Sequence, residues 1–178
     1  MKLNKREKGF SLIELLIVVA IILIIAAIAI PNLLRAKIAA NQSSAAASLR
    51  TLGSASVMYS TTYGNGFPNT MAVLAAPAAG VNPSCTAAGL IDSNLSSGQK
   101  SGYSFGLTPG TIDVATPACT PTGQIDMFTF SAIPVTASTG TVAYCIDGTN
   151  VIRQDPTGKG VTVAAATGCD SKATALGN

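Results

Sequence analysis

A chain of 178 residues is long enough for one folded domain plus one additional element. Its formal charge of +3 sits at the start: residues 1–9 carry Lys2, Lys5, Arg6 and Lys8 against Glu7, and the remainder holds seven Lys/Arg against seven Asp/Glu. Beyond Arg35 and Lys37 the cations Arg50, Lys100, Arg153, Lys159 and Lys172 are scattered singly, so no specific nucleic-acid site is expected, because such a site needs clustered basic side chains.

Residues 1–9 form a basic leader, the kind of flank that holds the N-terminal end of an apolar segment in the cytoplasm. Residues 10–30 are then apolar except for Ser11 and Glu14, matching the roughly 20 residues that a helix needs to cross a bilayer. A membrane helix is the expectation. A carboxylate in hydrocarbon is costly and persists where a partner or a function compensates, so Glu14 calls for a partner. An ordinary signal peptide, with Ala27-Ile28-Ala29 as its cleavage site, or a plain single-span anchor are the alternatives. Against the signal peptide stand the length of the run and Glu14 within it.

Pro31 removes one amide donor and crowds the carbonyl four residues back, which breaks or bends a helix unless the surroundings tolerate it. The helical pattern nevertheless resumes: Leu34, Ile38, Ala45, Leu49, Leu52, Tyr59 and Tyr63 form one stripe, with Arg35, Asn41, Gln42 and Arg50 beside or opposite it. Tyr63-Gly64 supplies the stop, so a helix over residues 10–63 would measure about 80 Å. Gly53 weakens its middle and is expected to be a close packing point beneath a sheet.

Residues 64–100 are rich in Gly, Pro, Ala, Ser and Asn and read as a connecting loop, with a short helix over 70–76. Residues 103–105, 127–130, 142–146 and 151–152 are β-prone runs between turn formers, and residues 147–150 (Asp-Gly-Thr-Asn) read as a hairpin turn. An α+β fold follows: a long N-terminal helix with its outer half packed against a small antiparallel sheet. The segments are 1–9 (leader), 10–31 (apolar helix), 32–63 (amphipathic outer half) and 64–178 (globular loop, sheet and C-terminal loop).

The four cysteines, Cys85, Cys119, Cys145 and Cys169, all follow the membrane helix and fall on its extracytoplasmic side, where two disulfides are expected. Long gaps and the absence of histidine disfavour zinc. Three connectivities are open; the expectation is Cys85 with Cys119 and Cys145 with Cys169, because each pair encloses a Pro/Gly/Thr-rich stretch. Cys169 would then tie down a tail, 156–178, that has few large apolar side chains. Asp147, Asn150 and Asp155 offer oxygen ligands for calcium, but their spacing is not that of an EF-hand and turn roles explain them as well. Without histidine, a phosphate loop or convergent acids there is no catalytic constellation; no enzyme, cofactor or metal is expected. No ring stands between Phe10 and Tyr59, so Tyr59 and Tyr63 read as packing residues. Asn41-Gln42-Ser43 and Asn94-Leu95-Ser96 match a glycosylation acceptor pattern that says little in an exported bacterial-type chain.

The basic leader ending in Gly9, followed by Phe10-Ser11-Leu12-Ile13-Glu14 opening an apolar helix, resembles the class III signal of type IV prepilins. The AYCIDGTNVIRQD stretch is similar to the closing hairpin of many pilin-like subunits. The resemblance implies that a prepilin peptidase cuts between Gly9 and Phe10 and methylates the new amino terminus on Phe10. It implies that Glu14 docks against the Phe10 amine of a neighbouring subunit, giving a homopolymer through the N-terminal helices. It further implies an inner-membrane precursor served by an assembly platform, and an extracellular filament used in motility, adhesion or DNA uptake. Pro31 is expected to loosen the helix when packed in such a filament. A pseudopilin of a type II secretion system shares leader and helix and is the alternative; an anchored domain that never polymerises is another.

Overall fold

The computed structural model describes residues 9–64, 66–110, 112–113, 124–159, 163–164, 168–169 and 174–175. The chain divides into two units, residues 1–37 and 38–178. One helix, α1 (Leu12–Tyr63), supplies residues to both and runs without interruption through Pro31. In the single chain Pro31 therefore makes no break.

In the first unit the apolar side chains face outward on every side: Ile13, Leu16, Ile22, Leu23, Ile24, Ile28 and Ile30 are all more than half exposed. Such a helix is stable where the solvent is hydrocarbon, because every backbone donor and acceptor is satisfied within the segment. It is also the helix long and apolar enough to cross a membrane among the described residues.

The second unit obeys the opposite rule. There α1 buries Ala45, Ser48, Leu49, Leu52, Gly53, Ala55, Ser56 and Tyr59, spaced at three and four residues and thus on one face. Of the expected stripe, Ala45, Leu49, Leu52 and Tyr59 are fully buried, whereas Ile38 and Tyr63 are half-buried. The helix ends at Tyr63, where Gly64 takes the left-handed conformation (φ 68°) and donates to the Ser60 carbonyl at 2.9 Å.

The buried face meets a sheet whose strand order among the described residues is β1 (Gln99–Lys100), β2 (Tyr103–Pro109), β5 (Phe128–Pro134), β6 (Ala143–Asp147), β7 (Ile152–Asp155) and β10 (Thr174–Ala175), each pair antiparallel. Two short ladders stand beside it: β3 (Ile112–Asp113) with β4 (Gln124–Ile125), and β8 (Val163–Ala164) with β9 (Gly168–Cys169). The register pairs Phe105 with Ala132, Leu107 with Phe130, Phe130 with Ile146 and Ile146 with Ile152. Alternation then places Tyr103, Phe105, Phe130, Ala132, Tyr144, Ile146 and Ile152 together in the core with the helix stripe. Each large side chain removed from water contributes about 1.5–3 kcal/mol.

Strands β2 and β5 are longer than their apolar runs predict, because the ladder continues through Gly106, Pro109 and Pro134, residues with little strand preference of their own. The helix expected over 70–76 is a single 3₁₀ turn, Met71–Leu74, and a further short helix, α2 (Ser93–Ser96), is capped by Asp92 accepting from the Leu95 amide at 2.8 Å. The connecting loop is tied down by polar bonds: Leu90 N donates to Leu74 O at 2.9 Å, and the buried Tyr59 hydroxyl donates to Cys85 O at 2.8 Å. Burial pushes the Tyr103 phenol up to about 12, aided by nearby Tyr144, so it stays a neutral donor to Val142 O at 2.8 Å.

Gly53 is the close packing point. A Cβ there would stand 2.6 Å from Asn150 Oδ1 and 3.0 Å from Ile146 Cδ1, so the helix approaches the β6–β7 hairpin at van der Waals limit. Replacing Gly53 by Leu gains helix propensity but forces fully buried Ile146 to move. We expect Gly53→Leu to destabilise the domain by about 1–3 kcal/mol, seen as a lower midpoint in thermal or urea unfolding; an unchanged midpoint would contradict the packing.

Candidate functional site

Gly9 and Phe10 precede α1 and are solvent-exposed, Phe10 by 88%. Nothing lies within 4 Å of a Cβ built on Gly9, so the structure makes no packing demand for glycine there. Ser11 is the N-terminal cap: its carbonyl accepts the first helical bond from Leu15 N at 3.2 Å. Glu14, three residues on, reaches back and its Oε2 accepts the Ser11 amide at 3.0 Å. This is the reciprocal half of a capping box, and it places a carboxylate at the positive end of the helix dipole. The Ser-x-x-Glu spacing is visible in the chain, yet the expectation of a partner for Glu14 looked only to another molecule. The single subunit supplies a local one.

Pro31 lies inside α1, and the next residue, Asn32, donates from Nδ2 to Ile28 O at 3.1 Å. A side-chain donor thus reaches the backbone ladder in the turn where proline withholds one.

At the C-terminal end of the sheet Cys145 and Cys169 form a disulfide with a Cα separation of 6.0 Å. Cys85 is disulfide-bonded, and Cys119 lies outside the described residues. Beside the Cys145–Cys169 link, Asp147 is buried and accepts three bonds: from Thr149 N at 3.0 Å, from Thr149 Oγ1 at 2.6 Å and from Cys169 N at 3.1 Å. Burial pushes this carboxyl up, but the hydroxyl and amide of Thr149, the Cys169 amide and the Arg153 charge together outweigh it and hold it below its ordinary value. Asp147 was legible as a turn residue; its reach to Cys169, twenty-two positions away, was not.

The three calcium candidates each have separate structural work. Asp147 holds the hairpin and β9, Asp155 accepts the Thr157 amide and hydroxyl at 2.8 and 2.7 Å, and Asn150 closes the turn by donating its amide to Asp147 O at 2.9 Å. Among the described residues no three Asp, Glu, His or Cys side chains gather as metal ligands. The Asn41 amide donates to Thr139 O at 3.0 Å, so that acceptor motif is engaged within the fold.

The long helix and the antiparallel sheet packed against its outer half make an α+β, pilin-like fold. Residues 4–30 match the family model of the prokaryotic N-terminal methylation motif. The chain is similar to the type IV major pilin protein PilA of Myxococcus xanthus, at 53% identity over 51 residues covering 29% of this chain and 23% of that protein. It is likewise similar to the type IV wide pilus major component PilA4 of Thermus thermophilus, at 65% identity over 37 residues, 21% of this chain and 28% of that one. The matches thus span about a quarter of each relative's length. Both relatives are named as pilus components, a structural and not an enzymatic role. No solved structure gives a significant match.

Because the folded-state pKa of Asp147 is lowered, its contribution to stability is complete above the unfolded value near 3.8 and is lost as pH falls through the folded value. Asp147→Asn should therefore lower stability at neutral pH by about 1–3 kcal/mol and flatten the acid limb of a stability-versus-pH curve below about pH 4. Parallel acid limbs in variant and parent would refute the assignment.

Proposed function

We propose that this chain is the structural subunit of a type IV pilus, held in the inner membrane by residues 10–31 and then polymerised through its N-terminal helices into an extracellular filament. The observation that carries the reading is Glu14 in the first turn of a helix whose apolar side chains are exposed all round, directly after Gly9 and Phe10. Such a helix is costly in water and asks for lipid or for other helices of its kind. Polymerisation exchanges the first for the second.

In this reading a prepilin peptidase cleaves after Gly9, which is exposed and unhindered, and methylates the Phe10 nitrogen. The new amine then carries a positive charge one helical turn from Glu14. In the membrane precursor the carboxylate is occupied by its own Ser11 amide, a neutral donor. An incoming subunit's Phe10 amine is a charged donor and forms the stronger bond, so docking neutralises two groups that lipid disfavours. The match to the methylation motif over residues 4–30 and the similarity to named pilus components support this. Motility, adhesion and DNA uptake are the roles open to such a filament.

The test separates processing from docking. N-terminal sequencing of the mature chain should read Phe10 first, and Gly9 replaced by a bulky residue should leave a folded but uncut precursor. Glu14→Gln keeps the side chain's shape and removes its charge; it should be cleaved normally and keep a folded sheet domain. Fibres sheared from the cell surface should nevertheless fall sharply, since losing one partner of a buried ion pair costs about 3–5 kcal/mol. A mature chain that starts elsewhere, or normal fibre yield from a fully processed Glu14→Gln chain, would overturn the proposal.

A further inference from the structure

Four cysteines must find partners in a chain whose last residues offer little apolar surface to guide them. Cys169 is nevertheless delivered to Cys145 by a polar seat. Its amide donates to Asp147 Oδ2, a bond buried from solvent, while Asp147 Oδ1 is fixed by the amide and hydroxyl of Thr149 in the turn that follows β6. Cys145 and Asp147 are two apart on the same strand and so share one face of the sheet. Gly168, with φ 73°, lets the chain pass so close that a Cβ there would stand 2.7 Å from Asp147 Oδ2. Among the described residues one carboxylate oxygen faces the Thr149 amide and the other the Cys169 amide, so an asparagine here would set its own NH2 group against one of these two N–H donors.

We propose that Asp147 is a positioning residue for disulfide formation: its carboxylate seats Cys169 beside Cys145 and directs these two thiols to each other in preference to the other cysteines. With an external disulfide such as oxidised glutathione as oxidant, Cys145 first exchanges to a mixed disulfide and releases one glutathione thiol. The Cys169 thiolate then attacks the Cys145 sulfur, the protein disulfide forms, and the second glutathione leaves as its thiol. Both thiol protons and two electrons are thereby accounted for. The second step depends on the local concentration of Cys169, which the seat raises.

The full chain, reduced and unfolded in denaturant and then transferred to detergent with a glutathione redox buffer, tests this by peptide mapping of the disulfides over time. In the parent, Cys145–Cys169 should form early and dominate. Asp147→Asn should slow its formation about tenfold, the scale of one charge-assisted hydrogen bond, with Cys145 linked to Cys85 or Cys119 in compensation. Gly168→Ala leaves the carboxylate chemically intact but denies its approach, and should mispair in the same way. Leu95→Ala removes a fully buried side chain from α2, beside the edge strand β1 and three strands away from β6, so it destabilises the domain without touching the seat; it should retain the parental pairing preference. Parental rates and pairing in Asp147→Asn would overturn the proposal. So would equal mispairing in Leu95→Ala, since general destabilisation would then explain the result.

Discussion

A carboxylate placed three residues after a helix cap, on a helix that otherwise offers only hydrocarbon, sets the terms for everything before Lys37. The apolar side chains there cannot be satisfied by water, and the chain contains no second apolar helix among the described residues to cover them. Glu14 is tolerated because its first partner is local: the Ser11 amide is an orphan donor of the helix start and needs an acceptor in any environment. The same residue therefore serves as a cap at the helix start. An apolar residue at position 14 would leave the Ser11 donor without this side-chain acceptor, and a longer separation from the cap would lose the reciprocal geometry.

Beyond Ile38 the same helix answers to a different solvent. Its side chains sort into a buried face against β2, β5, β6 and β7 and an exposed face carrying Ser43, Arg50, Thr51 and Ser54. Polar residues at the start of this half are used as ties, with Gln42 donating to Thr141 Oγ1 at 3.0 Å and Asn41 to Thr139 O at 3.0 Å. These bonds join helix to sheet loops nearly a hundred residues away, where apolar packing is thin. Gly53 and Asn150 make the complementary contact farther along.

Periodicity made much of this legible. The helix end at Tyr63, the buried set Ala45, Leu49, Leu52 and Tyr59 and the hairpin at Asp147 were readable from spacing and turn chemistry, whereas Cys145–Cys169 was one expectation among three connectivities that spacing leaves open. The start at Leu12 was missed by two residues because apolarity alone does not distinguish a cap from a first turn; Ser11 does. The extensions of β2 and β5 were hidden because Gly106, Pro109 and Pro134 are held by their neighbours' ladder and not by their own preference. Contacts such as Asp147 to Cys169 or Tyr59 to Cys85 O join side chain and backbone across the fold. No local pattern encodes them.

The two faces of the sheet explain why one polar contact has such weight. Toward the helix, Phe130, Ile146 and Ile152 are held by burial, a force that needs area but no direction. On the opposite face, Thr129 stands across from Asp147, and Cys145 across from Arg153, so around Cys145 little large apolar surface is available to hold a crossing strand. Segment 156–178 brings few large apolar side chains of its own. Directed bonds must replace area: a covalent link at Cys169 and, at the same residue, an amide held by a buried carboxylate. The covalent bond restrains the unfolded chain, whereas the carboxylate acts only in the folded one. Neither substitutes for the other, and their convergence on one residue lets a two-residue strand, Gly168–Cys169, anchor the C-terminal segment against β6.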